Sequence, residues 1–151
     1  MKARGDYKPK GYEYEVLNDG TAVLRFFENV KKFTDKGEDD RPDVTGYEYD
    51  VYTLSRPHSD HLSERVAADP DAWLAFAKQQ EADDLAVCVR ARRDVLLVTT
   101  DRTQLPDADI AECCRDEYKA YRQRLRDIPG QPGFPYEVEW PDEPVTEKAA
   151  R

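Results

Sequence analysis

Between Gly11 and Leu54 the chain alternates apolar and charged positions. Tyr12, Tyr14 and Val16 interleave with Glu13 and Glu15, a period of two that predicts a strand with one buried face. Asn18-Asp19-Gly20 follows, a turn signal because glycine takes positive φ without steric penalty. Thr21 to Phe27 predicts a second strand and so a hairpin, with Val30 and Phe33 either extending it or opening the next loop. Residues 34–45 are charged, contain Gly and Pro and hold almost no apolar side chain, which predicts a loop. Gly46-Tyr47-Glu48-Tyr49-Asp50-Val51 nearly repeats Gly11-Tyr12-Glu13-Tyr14-Glu15-Val16. Either the two are equivalent strands of one sheet or similar demands produced similar text. Each is expected to carry one tyrosine-rich face, and the later one to continue to Leu54.

After Pro57 the period changes. Asp60 is placed to cap a short helix from His61 to Ala68, and Asp69-Pro70 pairs an N-cap acceptor with proline at the first helical position. No Gly or Pro interrupts Asp71 to Thr100, which predicts one long helix, or two with a kink near Gln80. Trp73, Phe76 and Ala77 share a face of its first half; Leu85, Cys88, Val89, Leu96 and Leu97 fall in its second. Leu105-Pro106-Asp107 breaks and restarts the helix with Asp107 as N-cap. Ile110, Cys114, Tyr118, Tyr121, Leu125 and Ile128 then recur at helical spacing, an amphipathic stripe that Pro129 and Gly130 end. Two such helices joined by a short connection are expected to pack as an antiparallel hairpin. The segment from Pro129 to Pro135 reads as extended and turn-rich, and Tyr136, Val138 and Trp140 alternate with Glu137 and Glu139 as one more short strand.

The fold class expected is therefore α+β: a small antiparallel β-sheet in the N-terminal half, then helices including an antiparallel helical hairpin, then a short C-terminal extended or strand segment. Along the chain this divides into a flexible arm (1–10), a small α+β region (11–80), a helical hairpin with a proline- and aromatic-rich closing segment (81–144) and a frayed tail (145–151).

Composition narrows the function. The chain has 151 residues and a net charge of −9, which repels phosphate backbones and makes nucleic acid an unsuitable partner. Local basic clusters at Lys2, Arg4, Lys8 and Lys10, and at Arg90, Arg92 and Arg93, read as a solvated tail and a polar helix face. Cys88, Cys113 and Cys114 are odd in number and lack Cys-x-x-Cys spacing, so free thiols in a reducing cytoplasm are expected, with one of the adjacent pair in the core and the other partly exposed. No apolar run suits a signal peptide or a bilayer span, and the expectation is a soluble protein without membrane partners.

The residues for catalysis are not arranged for it. His58 and His61 have a spacing that could share a metal, but zinc wants two further ligands and only Asp60 and Glu64 are near. Neither histidine stands in a nucleophile motif. Glu38, Asp39 and Asp40 read as solvated loop carboxylates, Asp107 and Asp109 as capping groups. No enzyme activity, cofactor or metal is expected.

The C-terminal third carries a family signature. Arg93-Asp94-Val95-Leu96-Leu97 opens it; Thr100-Asp101 and Thr103-Gln104-Leu105-Pro106-Asp107 form a connecting block. Tyr121-Arg122-Gln123-Arg124-Leu125-Arg126-Asp127-Ile128-Pro129 follows, and Gly133-Phe134-Pro135 with Val138-Glu139-Trp140-Pro141 closes it. In order and spacing these blocks, over about residues 90–144, resemble the phage tail assembly chaperone proteins of tailed phages and prophages. Arg102 stands where that family usually has tryptophan, which removes an apolar anchor from the loop, and Asp109 where proline is common. The resemblance does not extend over residues 1–80.

The resemblance implies an accessory protein of virion morphogenesis, acting in the bacterial host cell cytoplasm by binding a phage tail or tail-fibre protein. The alternative is a structural tail or baseplate component that remains in the virion; an enzyme using His58 and His61 is a third reading. Candidate protein-binding residues are Phe134, Tyr136 and Trp140 of the closing segment, with Arg93 and Arg122 from the matching helices. Proline-stiffened extended segments lose little entropy on docking. The same aromatics could instead fold back over the helices. No feature of the sequence assigns an oligomeric state.

Overall fold

A computed structural model describes residues 2–36, 42–108 and 110–145, and the backbone alone at Cys113. Glu38, Asp39, Asp40, Asp109 and most of the segment expected to fray lie outside the described residues. The chain divides into two compact units, Met1–Glu81 and Ala82–Arg151. It is α+β, an antiparallel sheet followed by helices.

The first unit is built on strands β1 (Lys2–Gly5), β2 (Tyr12–Val16), β3 (Thr21–Asp35) and β4 (Val44–Pro57). They form one antiparallel sheet in the order β1-β4-β3-β2. The β2–β3 turn is the one expected: Gly20 sits at φ 80°, and the Thr21 amide donates to the Asp19 carboxylate at 2.8 Å. That bond stabilises the charged carboxylate and holds its pKa below the ordinary value. β3 and β4 are longer than the alternation suggested. Thr34, Asp35, Val44 and Thr45, read as loop, pair with one another across the hairpin, because β-branched side chains suit the pleat. A bulge between Glu28 and Lys31 bends the hairpin; Asn29 takes φ 52° there and donates to Asp50 at 2.7 Å.

One expectation needs correction. Residues 1–10 were expected to form an unanchored arm, but Lys2–Gly5 is strand β1. It pairs with Tyr47–Asp50, and Arg4 bonds Glu48 and Asp35 while stacking over Phe33. The two near-identical Tyr-rich segments are both strands but are not equivalent. Tyr12 and Tyr14 stand opposite Phe26 and Leu24, which stand opposite Tyr52 and Leu54, so all six share one face. Tyr49 is three residues from Tyr52 and points to the other face, where its ring meets Phe27 edge-on.

Helices α1 (Leu62–Ala68) and the first half of α2 (Pro70–Thr99) cover the Leu24 face. Leu62, Val66 and Ala77 join Ala22, Leu24, Phe26 and Leu54 in one core, flanked by Trp73 and Leu74. The Asp69 carboxylate accepts the Ala72 amide at 3.1 Å, the N-cap expected with Pro70. Asp60 does not cap α1; His61 occupies that position without a side-chain bond. α2 is a single helix, and residue 82, where the second unit begins, falls inside it.

The second unit comprises the later part of α2, a 3-10 turn at Asp101–Gln104, α3 (Glu112–Asp127) and a 3-10 turn at Ile128–Gly130. Tyr118, Tyr121, Leu125 and Ile128 are buried, as the stripe required, and pack with Val89, Leu96 and Leu97 of α2. α3 starts at Glu112 rather than after Asp107, so Ile110 lies in the connection. Tyr136–Trp140 is not a strand. Its backbone finds a side chain instead of a strand: the Gln131 amide accepts from Glu139 N–H and donates to Glu139 C=O, both at 2.9 Å.

Among the described residues no helix is long and apolar enough to cross a membrane. Leu54, 1% exposed at the centre of the sheet core, is expected to be the sensitive position of the first unit. Leu54→Ala should cost about 2–5 kcal/mol in chemical denaturation, a core truncation that leaves a cavity.

Candidate protein-binding site

The second unit is organised around the end of α2. Helix termini leave their last carbonyls without intrahelical partners. Here Leu96 C=O accepts the hydroxyls of Thr99 and Thr100, at 3.0 and 2.8 Å. Leu97 C=O accepts a guanidinium N–H from Arg122, a residue of α3. The same Nη1 donates to the Thr100 hydroxyl at 2.8 Å, and Nη2 to the Asp101 carboxylate at 2.6 Å. Thr103 completes the turn by donating to Thr100 C=O at 2.7 Å. A cation at a helix C-terminus also meets the negative end of the dipole. Arg122 is 8% exposed, so its burial is matched by three acceptors from one helix end.

The closing segment lies on this helical pair. Phe134, Val138 and Trp140 pack against the α3 cluster. The Arg90 guanidinium stands 5.2 Å from the centre of the Phe134 ring, and that of Arg92 4.3 Å from Trp140. Tyr118 donates to Pro144 C=O at 3.0 Å. Burial among these groups raises the Tyr121 phenol pKa, with the nearby Glu143 carboxylate and Tyr118 adding to the effect. At Gly133 a Cβ would stand 2.5 Å from Glu137 C=O, so the turn into the segment admits only glycine. The Phe134–Pro135 peptide is cis.

The five candidate residues thus separate. Phe134 and Trp140 fold back, half-buried, each under an arginine. Tyr136 is 56% exposed. Arg93 is tied to its neighbour Asp94 through Nε and Nη2, at 2.8 and 2.6 Å. Arg122 faces the interior and positions the helices. Arg90 and Arg92, read from sequence as a solvated face, are the ring partners, and Gln131 is the fastener; none had a local signal, because their partners are distant in the chain.

Beside the clamp is a cleft of about 570 Å³, lined by Thr99, Arg102, Leu105, Ile110, Tyr118 and Glu143 among others. Arg102 is exposed there and does not anchor the loop. Cys114 is buried and Cys88 exposed, and neither is in a disulfide with a described residue. In the first unit the two histidines diverge: His58 Nδ1 bonds the Tyr14 hydroxyl at 2.8 Å, and His61 faces Glu64 at 3.3 Å. Among the described residues no group of three or more His, Cys, Asp or Glu is placed to hold a metal ion.

Residues 86–145 match the family model of the phage tail assembly chaperone protein. No curated protein and no solved structure matches the chain. The matched segment falls within the second unit, and the blocks singled out in its sequence contribute to holding that unit together. Thr100-Asp101 and Tyr121-Arg122 supply the clamp, Gly133 the tight turn and Trp140 the packed ring.

Arg122→Ala is expected to lower stability by about 1–3 kcal/mol, because it strands buried acceptors at the end of α2. Arg122→Lys, which keeps the charge but not the planar fork, should fall between wild type and alanine. Urea titration followed by far-UV circular dichroism checks both.

Proposed function

We propose that the protein is a tail or tail-fibre assembly chaperone that binds a phage tail protein during morphogenesis, in the host cell cytoplasm, and leaves before the particle is complete. The observation that carries this reading is the family match at residues 86–145, a stretch whose buried side chains build one packed cluster. The client contact is made by the closing segment: Tyr136 as the protruding aromatic, with the outer edges of Phe134 and Trp140 beside it. Arg93, at the opening of the segment, is part of the same docking surface in this reading. Arg122 acts by positioning and not by touching the client. Support comes from chemistry: rigid aromatics on a backbone already fixed by Gln131 and Gly133 lose little entropy on binding, and tyrosine and tryptophan are frequent anchors of interfaces.

Copy number tests the role. Quantitative mass spectrometry of purified particles and of the lysate they came from should find the protein abundant in lysate and nearly absent from particles. Fixed stoichiometry in the particle would replace this reading with a structural tail or baseplate component. For the surface, Tyr136→Ala should weaken capture of the tail client by about tenfold or more and lower the melting temperature less than Trp140→Ala does. Trp140→Ala should lower both, because that ring is also part of the core.

A further inference from the structure

The first unit has a surface that tail-chaperone binding by the second unit does not use. β2 is an edge strand. Its ladder to β3 is bounded by two bonds: the Leu17 amide to Thr21 C=O at 2.8 Å, and the Phe27 amide to Gly11 C=O at 3.1 Å. Successive residues of a strand direct their backbone groups to opposite edges. Those bonds therefore turn Gly11, Glu13, Glu15 and Leu17 toward β3, and Tyr12, Tyr14 and Val16 outward. The outward N–H and C=O groups have no partner among the described residues. The side chains sort by face as well. Tyr12 and Tyr14 lie against the helix-covered core, while Glu13 and Glu15 stand on the opposite face. Both carboxylates are held in place, Glu13 by the Tyr7 hydroxyl and Glu15 by Arg25, each at 2.8 Å.

We propose that β2 is a docking edge that adds one strand from a partner: an extended segment with lysine or arginine at every second position. Its basic side chains would lie cross-strand from Glu13 and Glu15, and the intervening apolar ones beside Tyr12 and Tyr14. Opposite charges facing each other across a ladder stabilise it, and like charges weaken it. That rule selects the occupant. An antiparallel pairing of β2 with a second copy that joins the outward groups is centred on residue 13, 14 or 15. It then sets Glu13 against Glu13, Glu13 against Glu15, or Glu15 against Glu15. The net charge of −9 adds to this repulsion and draws in a basic segment. The unsatisfied backbone groups supply affinity, and the carboxylate row supplies selectivity.

The test uses the full chain, isotope-labelled for amide hydrogen exchange, with two acetylated heptapeptides. One is Thr-Lys-Val-Lys-Val-Lys-Thr; the other has glutamate in place of each lysine. The lysine peptide is expected to slow exchange at Tyr12, Tyr14 and Val16, and the glutamate peptide to have no effect. Glu13→Gln with Glu15→Gln should weaken binding roughly tenfold. Val16→Pro removes an outward N–H without touching the β2–β3 ladder, so the chain stays folded and binding falls. Any of four results overturns the proposal: no binding at millimolar peptide, equal binding of both peptides, protection that maps elsewhere, or unchanged affinity in the glutamine variant. Protection of the β2 edge in the chain alone, rising with protein concentration, would assign the edge to a second copy and overturn it too.

Discussion

Arg122 is the constraint on which the second unit depends. A helix as long as α2 must end somewhere, and its last carbonyls need donors. Here the donors come from Thr99, Thr100 and a guanidinium on the next helix. Because Arg122 reaches Leu97, Thr100 and Asp101 at once, it fixes where α2 stops and where α3 lies against that end. Tyr121 and Leu125, its neighbours on α3, are then delivered to Leu96 and Leu97. Polar and apolar contacts specify the same arrangement, so the packing has a single register. An aliphatic side chain at position 122 would leave the apolar seam but not the carbonyl partners.

The closing segment depends on that arrangement in turn. It has no strand to join, so it is fastened piecewise: Gln131 to Glu139, Gly133 to Glu137, Tyr118 to Pro144, and two arginines against two rings. Two of these fastenings close the segment on itself, and the others tie it to the helical pair. The sequence blocks that resemble the tail assembly chaperones, spread over about residues 90–144, thus belong to one structural device.

Much of this was legible beforehand. The period of two between Tyr12 and Val16, the Asn-Asp-Gly turn, the Asp69-Pro70 helix start and the stripe from Cys114 to Ile128 all rest on local chemistry, and all are present. What escaped was set by distant partners. Lys2–Gly5 looks like a polar tail until β4 offers it an edge. Glu13-Tyr14 and Glu48-Tyr49 read alike, but only register decides which face each tyrosine takes. Arg122 was read as a candidate binding residue, and its positioning role escaped because its acceptors are more than twenty residues away. Trp140 alternates like a strand residue, yet Arg92 and the α3 cluster hold it, and pairing does not.

Native-state hydrogen exchange in Arg122→Lys tests most directly whether one side chain couples the helix end to the closing segment. The account predicts that amides of the 101–104 turn and those of Phe134, Glu137 and Glu139 lose protection together, while amides of β3 and β4 keep theirs. Loss confined to the 101–104 turn, with Phe134, Glu137 and Glu139 unchanged, would contradict it.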